Sequence, residues 1–252
     1  MKELKKKFDK AISVILPTYN EKENIAPLIK EILESITREK EIIVIDDNSP
    51  DGTWRVVEEM AKTQKDLFLV RRVREKGLVS ALNEGIAFSR GEIVVWLDCD
   101  FSMPPSKIKE LLEGIDQGYD AVVGSRYVQG GGVEIITGSS DSLFAYVLSF
   151  LLNRFIQRLL GFSFKDYTSG FIAIRRNVLE KIRLKGDYGE YFIDLIYRMI
   201  KKGYKVKEIP YLSKARRKGV SKTGTNLFHY LAKGSKYILF TIRLKFTKIE
   251  RD

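Results

Sequence analysis

The chain has 252 residues, is 44% hydrophobic, and carries 44 Lys and Arg against 33 Asp and Glu, for a formal net charge of +11. That length buries one full α/β core, and a single cysteine, Cys99, excludes an intrachain disulfide framework. The excess charge is local: residues 201–252 hold fifteen Lys or Arg and three acids (Glu208, Glu250, Asp252), a net of +12.

Taken in order, Met1-Lys2-Glu3-Leu4-Lys5-Lys6-Lys7 lacks the apolar core of a signal peptide, so a cytoplasmic location is expected. The run Ile12-Ser13-Val14-Ile15-Leu16 predicts a strand that delivers Pro17-Thr18-Tyr19-Asn20-Glu21 at its end. A second run, Ile42-Ile43-Val44-Ile45, ends in Asp46 and Asp47 and a turn at Asn48-Ser49-Pro50-Asp51-Gly52. A third, Ile93-Val94-Val95-Trp96-Leu97, ends in Asp98-Cys99-Asp100. Each run is followed by a helix-like stretch. This is the β-α repeat of a doubly wound sheet, which presents its ligands in one crevice at the carboxyl ends of the strands.

Two carboxylates one residue apart at such an end are costly without a cation between them. Mg²⁺ or Mn²⁺, bound through one or two carboxylates with phosphate oxygens completing the shell, meets that need; two solvated loop acids are the plain alternative. Strand alternation points Cys99 away from both acids and into the core.

Further on, the uncharged part of Leu143–Leu152 is about ten residues, short of the roughly 20 that span a bilayer, and fits an interfacial or a buried helix. In the basic tail, Leu227, Phe228, Tyr230, Leu231, Tyr237, Ile238, Leu239, Phe240, Ile242, Leu244 and Phe246 alternate with the cations. Apolar and aromatic residues beside lysines suit a membrane surface better than nucleic acid, and no nucleic-acid partner is expected.

Val14–Glu21, Val44–Thr53, Lys76-Gly77-Leu78, Asp98-Cys99-Asp100 with Pro104-Pro105, Gly124-Ser125-Arg126-Tyr127, Thr168-Ser169-Gly170-Phe171 and Gly219-Val220-Ser221-Lys222 stand in the order seen in inverting family 2 glycosyltransferases of the GT-A fold. Over residues 11–225 the chain most resembles the dolichyl-phosphate mannose synthase branch. The resemblance implies an α/β fold, a GT-A type Rossmann-like doubly wound mixed sheet with C-terminal amphipathic helices. It implies a catalytic domain over 1–225 and a basic, membrane-associating tail over 226–252.

By the same resemblance Asp100 is the direct ligand of Mg²⁺ or Mn²⁺, and Asp98 contacts the metal or the donor ribose. Asp47 accepts a hydrogen bond from the base. Pro17, Tyr19, Glu21 and Lys76 line the nucleotide pocket. Arg126, Arg216, Ser221 and Lys222 supply positive charge or close over the donor, with Gly219 as a hinge. The implied partners are a nucleotide sugar (GDP-mannose, with UDP-glucose as the alternative), polyprenyl or dolichyl phosphate, the cytoplasmic face of a membrane to which the chain attaches peripherally, and a possible membrane-anchoring subunit.

General-base catalysis on a sugar hydroxyl needs a carboxylate or histidine beside the acceptor. The one histidine, His229, lies in the basic tail. A phosphate acceptor needs no base; Asp166, ahead of Thr168, stands where base-using relatives place their acid and keeps hydroxyl acceptors open. Two departures from the branch stand out. Ser102-Met103 replaces a metal-binding Gln-His, and from Tyr127 to Asn153 there is neither Lys nor Arg where an acceptor-phosphate arginine is expected, so that Arg154 or Arg126 is left to substitute. A non-catalytic membrane-bound scaffold is the alternative of a different class, and Asp100→Ala separates it from an enzyme.

Overall fold

A computed structural model describes residues 10–134, 140–217 and 227–247. The three predicted strands form as β1 (Lys10–Thr18), β2 (Lys40–Asp46) and β4 (Gly91–Trp96), with β3 (Leu67–Arg71) beyond β2. Their successive side chains divide between two cores, which is why these runs are almost wholly apolar, the buried Ser13 of β1 donating its hydroxyl to Glu41 (2.7 Å). Ile15, Ile43, Ile45, Val94 and Trp96 face one side; Val14, Leu16, Ile42, Val44, Ile93 and Val95 face the other.

α1 (Lys22–Ser35), α2 (Thr53–Ala61), α3 (Leu78–Phe88) and α4 (Ile108–Asp116) connect or cover these strands. Then come β5 (Ala121–Ser125), the short β6 (Gly132–Val133), α5 (Ser140–Leu160), β7 (Ile172–Arg175), α6 (Arg176–Lys181), α7 (Glu190–Lys201), β8 (Val206–Pro210), β9 (Leu212–Ser213) and α8 (Leu227–Phe246). The seven-stranded sheet has the order β3-β2-β1-β4-β7-β5-β8, and β7 is antiparallel to both neighbours. β6 and β9 form a separate parallel pair.

The sheet reverses its direction of growth at β1 and β4, and there the ladder opens. β1 pairs with β2 as far as Thr18↔Asp46, but with β4 only to Ile15↔Trp96. Pro17, which has no N–H to donate, lies just past that point. The strand ends therefore splay into a crevice at the switch point, the place where open α/β sheets bind ligands.

The apolar run at 143–152 is part of a 21-residue helix, longer than the run itself. α8 packs on α5 and α7, with Thr241 and Leu244 buried.

Candidate active site

Three non-glycine residues in the described chain have positive φ: Asn20 (57°), Asn48 (55°) and Phe101 (67°). They follow β1, β2 and β4, the three adjacent strands whose ends line the crevice. Backbone strain of this kind persists only where surrounding bonds enforce it, and it gathers at functional sites.

Asp46 does the enforcing at β2. Fully buried, it accepts from Ser49 N (2.8 Å), Ser49 Oγ (2.6 Å) and Thr18 Oγ1 (2.9 Å), so it shapes the loop. Its neighbour Asp47 faces a buried cation. Arg72 donates Nε to Asp47 Oδ1 at 2.6 Å, and Gly77 N donates to Oδ2 at 2.8 Å. Arg72 also reaches Ser80 and the Gly77 carbonyl, which fixes the turn carrying Lys76. The Lys76 ammonium stands 5.3 Å from the Tyr19 ring centroid, so two of the residues expected in the nucleotide pocket are neighbours. Arg72 escaped the sequence reading, because nothing in the basic run Arg71-Arg72-Val73-Arg74 singles it out until β2 and α3 close around it.

Glu21 plays two parts. Its carbonyl accepts from the first amides of α1, while its buried carboxylate accepts from Asn24 Nδ2 (2.8 Å) and pairs with Arg216 (3.0 Å). Arg216 also pairs with Asp100 at 2.8 Å. One guanidinium thus bridges an acid following β1 and an acid following β4, across the opening between them. The segment bearing it is fastened by its backbone: Lys214 N donates to Ser102 O (3.1 Å) and Arg217 N to Asp100 O (3.0 Å). Ser102 donates both N (2.9 Å) and Oγ (2.6 Å) to Asp100 Oδ1, so it orients the acid where a glutamine was expected to bind metal.

Asp98 is exposed, its amide donating to Met103 Sδ (3.3 Å). Buried Tyr191 accepts from Trp96 Nε1 (3.0 Å); its hydroxyl is held above the usual tyrosine pKa first by burial and then by the charge of Asp98. Cys99, in the turn after β4, is buried and directed at the Pro17 carbonyl (3.6 Å).

Among the described residues no group of three or more His, Cys, Asp or Glu side chains is arranged to hold a metal ion. A divalent cation held by Asp98 and Asp100 nonetheless fits the donor set, because Mg²⁺ and Mn²⁺ take few carboxylates when phosphates complete the shell. Arg216 shows that this place already stabilises positive charge.

Arg126, expected to supply positive charge, is paired with a buried acid: it donates N, Nε and Nη2 to Asp166 (2.9, 2.9 and 2.7 Å) and Nη2 to Thr168 (2.9 Å). Burial works against its charge, but Asp166 outweighs burial and raises its pKa well above the usual arginine value. Asp166, wholly buried, is equally committed. Tyr211 connects this pair to the other acids: its hydroxyl is pushed up by burial and feels the charges of both Arg126 and Asp98. Ser221 and Lys222 lie outside the described residues, as does the Gly219 hinge.

Residues 13–183 match the family model described as Glycosyl transferase family 2. A dolichol-phosphate mannosyltransferase of Pyrococcus furiosus is 35% identical over 226 residues, 87% of this chain and 61% of that protein. A polyprenol monophosphomannose synthase of Mycolicibacterium smegmatis is 39% identical over 222 residues, 85% of this chain and 82% of that protein. The fold is shared with glucosyl-3-phosphoglycerate synthase of Mycobacterium tuberculosis, solved with Mn²⁺, UDP and glucosyl-3-phosphoglycerate: TM-score 0.69 at 20% identity, over 96% of this chain and 82% of that one. With the splayed β1–β4 crevice and its acids in place, the chain belongs to glycosyltransferase family 2 and has the GT-A fold.

Proposed function

We propose that the protein transfers a hexose, mannose from GDP-mannose, to a polyprenyl or dolichyl phosphate at the cytoplasmic face of a membrane, with inversion at the anomeric carbon. Support for the reaction comes from the two relatives named for polyprenyl-phosphate mannosylation. Support for the acceptor comes from one observation: Asp166, the acid nearest the position of a general base, is buried and bonded to Arg126. Both oxygens of that carboxylate are engaged by Arg126, which leaves it poorly placed beside an acceptor hydroxyl, whereas a phosphate is already anionic and needs no base.

In this reading an acceptor phosphate oxygen attacks C1, the bond from C1 to the diphosphate oxygen breaks, and the nucleoside diphosphate leaves with the electron pair. Asp98 and Asp100 would hold a divalent cation, which supplies charge neutralisation at the departing diphosphate. Asp47, Tyr19 and Lys76 bind the nucleotide, and Ser102 keeps Asp100 turned to the crevice. Arg216 leaves Asp100 for the diphosphate as donor binds.

The test is transfer of labelled sugar from GDP-mannose, and in parallel from UDP-glucose, to dolichyl phosphate in detergent, with Mn²⁺ or EDTA. Labelled lipid from GDP-mannose, abolished by EDTA and by Asp100→Ala, is expected. Product from UDP-glucose alone corrects the donor. Absence of lipid product from either donor, with nucleotide still bound, overturns the acceptor.

A further inference from the structure

Both oxygens of Asp100 are occupied. Ser102 donates N (2.9 Å) and Oγ (2.6 Å) to Oδ1, and the Arg216 guanidinium pairs with Oδ2 at 2.8 Å. On its other side the same guanidinium pairs with Glu21 Oε1 at 3.0 Å. The acid that fits a divalent cation thus already carries a cation, and that cation belongs to the chain itself.

The backbone beneath Arg216 is anchored. Leu212 and Ser213 of β9 pair with β6, Ala215 N donates to Glu134 Oε2 (3.3 Å), Lys214 N to Ser102 O (3.1 Å) and Arg217 N to Asp100 O (3.0 Å). Release of Arg216 from Asp100 is therefore a rotation of its side chain on a fixed segment. Glu21 supplies the pivot: it is buried, and its carboxylate is also held by Asn24 (2.8 Å). Arg216 keeps 23% of its side chain exposed, so a ligand in the crevice can reach it.

Charge decides which ligand displaces it. A divalent cation arriving alone is repelled by the guanidinium, and it brings no anion to receive Arg216 once the pair with Asp100 is broken. A nucleoside diphosphate brings phosphate oxygens, which accept the released guanidinium and complete the shell of the metal.

We propose that Arg216 is a latch on the cation position: in the donor-free chain it excludes the divalent metal from Asp100, and the nucleoside diphosphate releases it, so that metal and nucleotide bind with positive coupling. The inference rests on the reading of Asp98 and Asp100 as the cation site and deepens it by setting the order in which the two ligands bind. The metal enters with the nucleotide or after it.

The test is binding of Mn²⁺, followed through the EPR signal of the free ion, to the full chain and to Arg216→Gln, each with and without GDP. Wild type is expected to bind Mn²⁺ at least about tenfold more weakly without GDP than with it, and Arg216→Gln to bind Mn²⁺ alone about tenfold more tightly than wild type, losing most of the coupling. Arg216→Lys restores the charge and is expected to weaken binding of Mn²⁺ alone again. Arg217, whose guanidinium lies 5.0 Å from the Phe101 ring centroid, provides the control for net charge. Arg217→Gln removes an equal charge one residue away and should leave the affinity for Mn²⁺ within about twofold.

Equal Mn²⁺ affinity in wild type and Arg216→Gln overturns the latch, and so does an equal gain in Arg217→Gln. The wild-type chain gives a measurement that needs no variant: Mn²⁺ bound as tightly without GDP as with it overturns the proposal, as does Mn²⁺ bound in neither case. These readouts use no sugar and no acceptor, which separates them from the proposed reaction. Metal-dependent transfer with an unchanged Mn²⁺ affinity in Arg216→Gln overturns the latch and leaves the reaction standing. A gain in that affinity with no transfer from either donor supports the latch and overturns the reaction.

Discussion

Arg72 and Asp47 are each defined by the other. Arg72 is the more buried partner, with 3% of its side chain exposed against 12% for Asp47. Breaking a buried pair by removing one partner leaves an uncompensated charge and costs about 3–5 kcal/mol. Arg72→Leu is therefore expected to lower stability by about that amount in a denaturant titration; a loss below ~1 kcal/mol would place the pair in effective contact with solvent. Asp100 answers to chemistry instead of stability. Ser102 and Arg216 restrain it, yet its expected contribution is to charge that develops as the donor breaks, so Asp100→Ala should reduce turnover by at least about 10²–10³-fold, roughly 3–4 kcal/mol in the barrier. Retained turnover in that variant would take Asp100 out of the chemistry, whereas a wild-type chain that binds nucleotide and membrane without turnover would favour the scaffold alternative.

Of the residues named from sequence, those directly at the strand ends were legible: Pro17, Glu21, Asp47, Asp98 and Asp100 each follow an apolar run that could only be a buried strand. Their partners were not. Arg72, Tyr191, Tyr211 and the second role of Glu21 depend on side chains 25 to 195 residues apart meeting in space, as in Arg72 to Asp47 and Arg216 to Glu21.

At the scale of elements, β1 and β4 meet closely at Gly91. A Cβ there would stand 2.5 Å from Ser13 N and 2.6 Å from Ile12 C, both backbone atoms of β1 that cannot rotate away. Gly91→Ala should cost about 3 kcal/mol, and a neutral result in thermal unfolding would show that the strands part easily.

The helix α8 is held on α7 by Lys236, which pairs with Glu190 at 2.8 Å and Asp187 at 3.4 Å. Burial alone would raise the Glu190 pKa, but the hydrogen bond from Lys236 and backbone donors outweigh it, so the folded value lies below the ordinary 4.5. A depressed carboxylate pKa stabilises the fold above the unfolded value, and that contribution disappears as pH falls through the folded value. Below about pH 4.5 the melting temperature of the wild-type chain should thus fall faster than that of Glu190→Gln. Parallel curves would remove Glu190 from the docking of α8.

The other face of α8 exposes Leu239, Ile242 and Phe246, flanked by Arg243 and Lys245, and α5 exposes a stripe of Phe144, Val147, Leu151 and Phe155. Replacing Leu151 and Leu239, both more than half exposed, with Asp should weaken flotation with anionic vesicles by about tenfold or more, since burying each leucine contributes at most ~1.5–3 kcal/mol. Unaltered flotation would move membrane contact elsewhere.

For the whole molecule, the proposed function assigns the donor crevice and the apolar stripes to different partners. Among the described residues no helix is long and apolar enough to cross a membrane. Donor binding should act on the stability of the entire domain, because β1, β2 and β4 form its centre. At a hundredfold excess over Kd a ligand adds about 2.7 kcal/mol, which for a chain of this size raises the melting temperature by roughly 5–10 °C. GDP with Mn²⁺ is expected to give that rise, and EDTA or Asp100→Ala to diminish it. A rise indifferent to both would take the metal out of nucleotide binding.

Local sequence was enough to determine the strands, the crevice at their ends and the kinds of residue delivered there, because a strand buried on both faces is mostly apolar, buried Ser13 and Glu41 being satisfied by each other, and the cluster of polar residues after the run marks its end. The order of motifs along the chain was enough to identify the family. Tertiary structure alone decided which charges remain available. Arg126 and Asp166 cancel one another, and Arg216 spans two acids. The reason is the short range of the deciding contacts: a charge is defined by whatever lies within a few ångströms of it, and in this fold those neighbours come from distant parts of the chain.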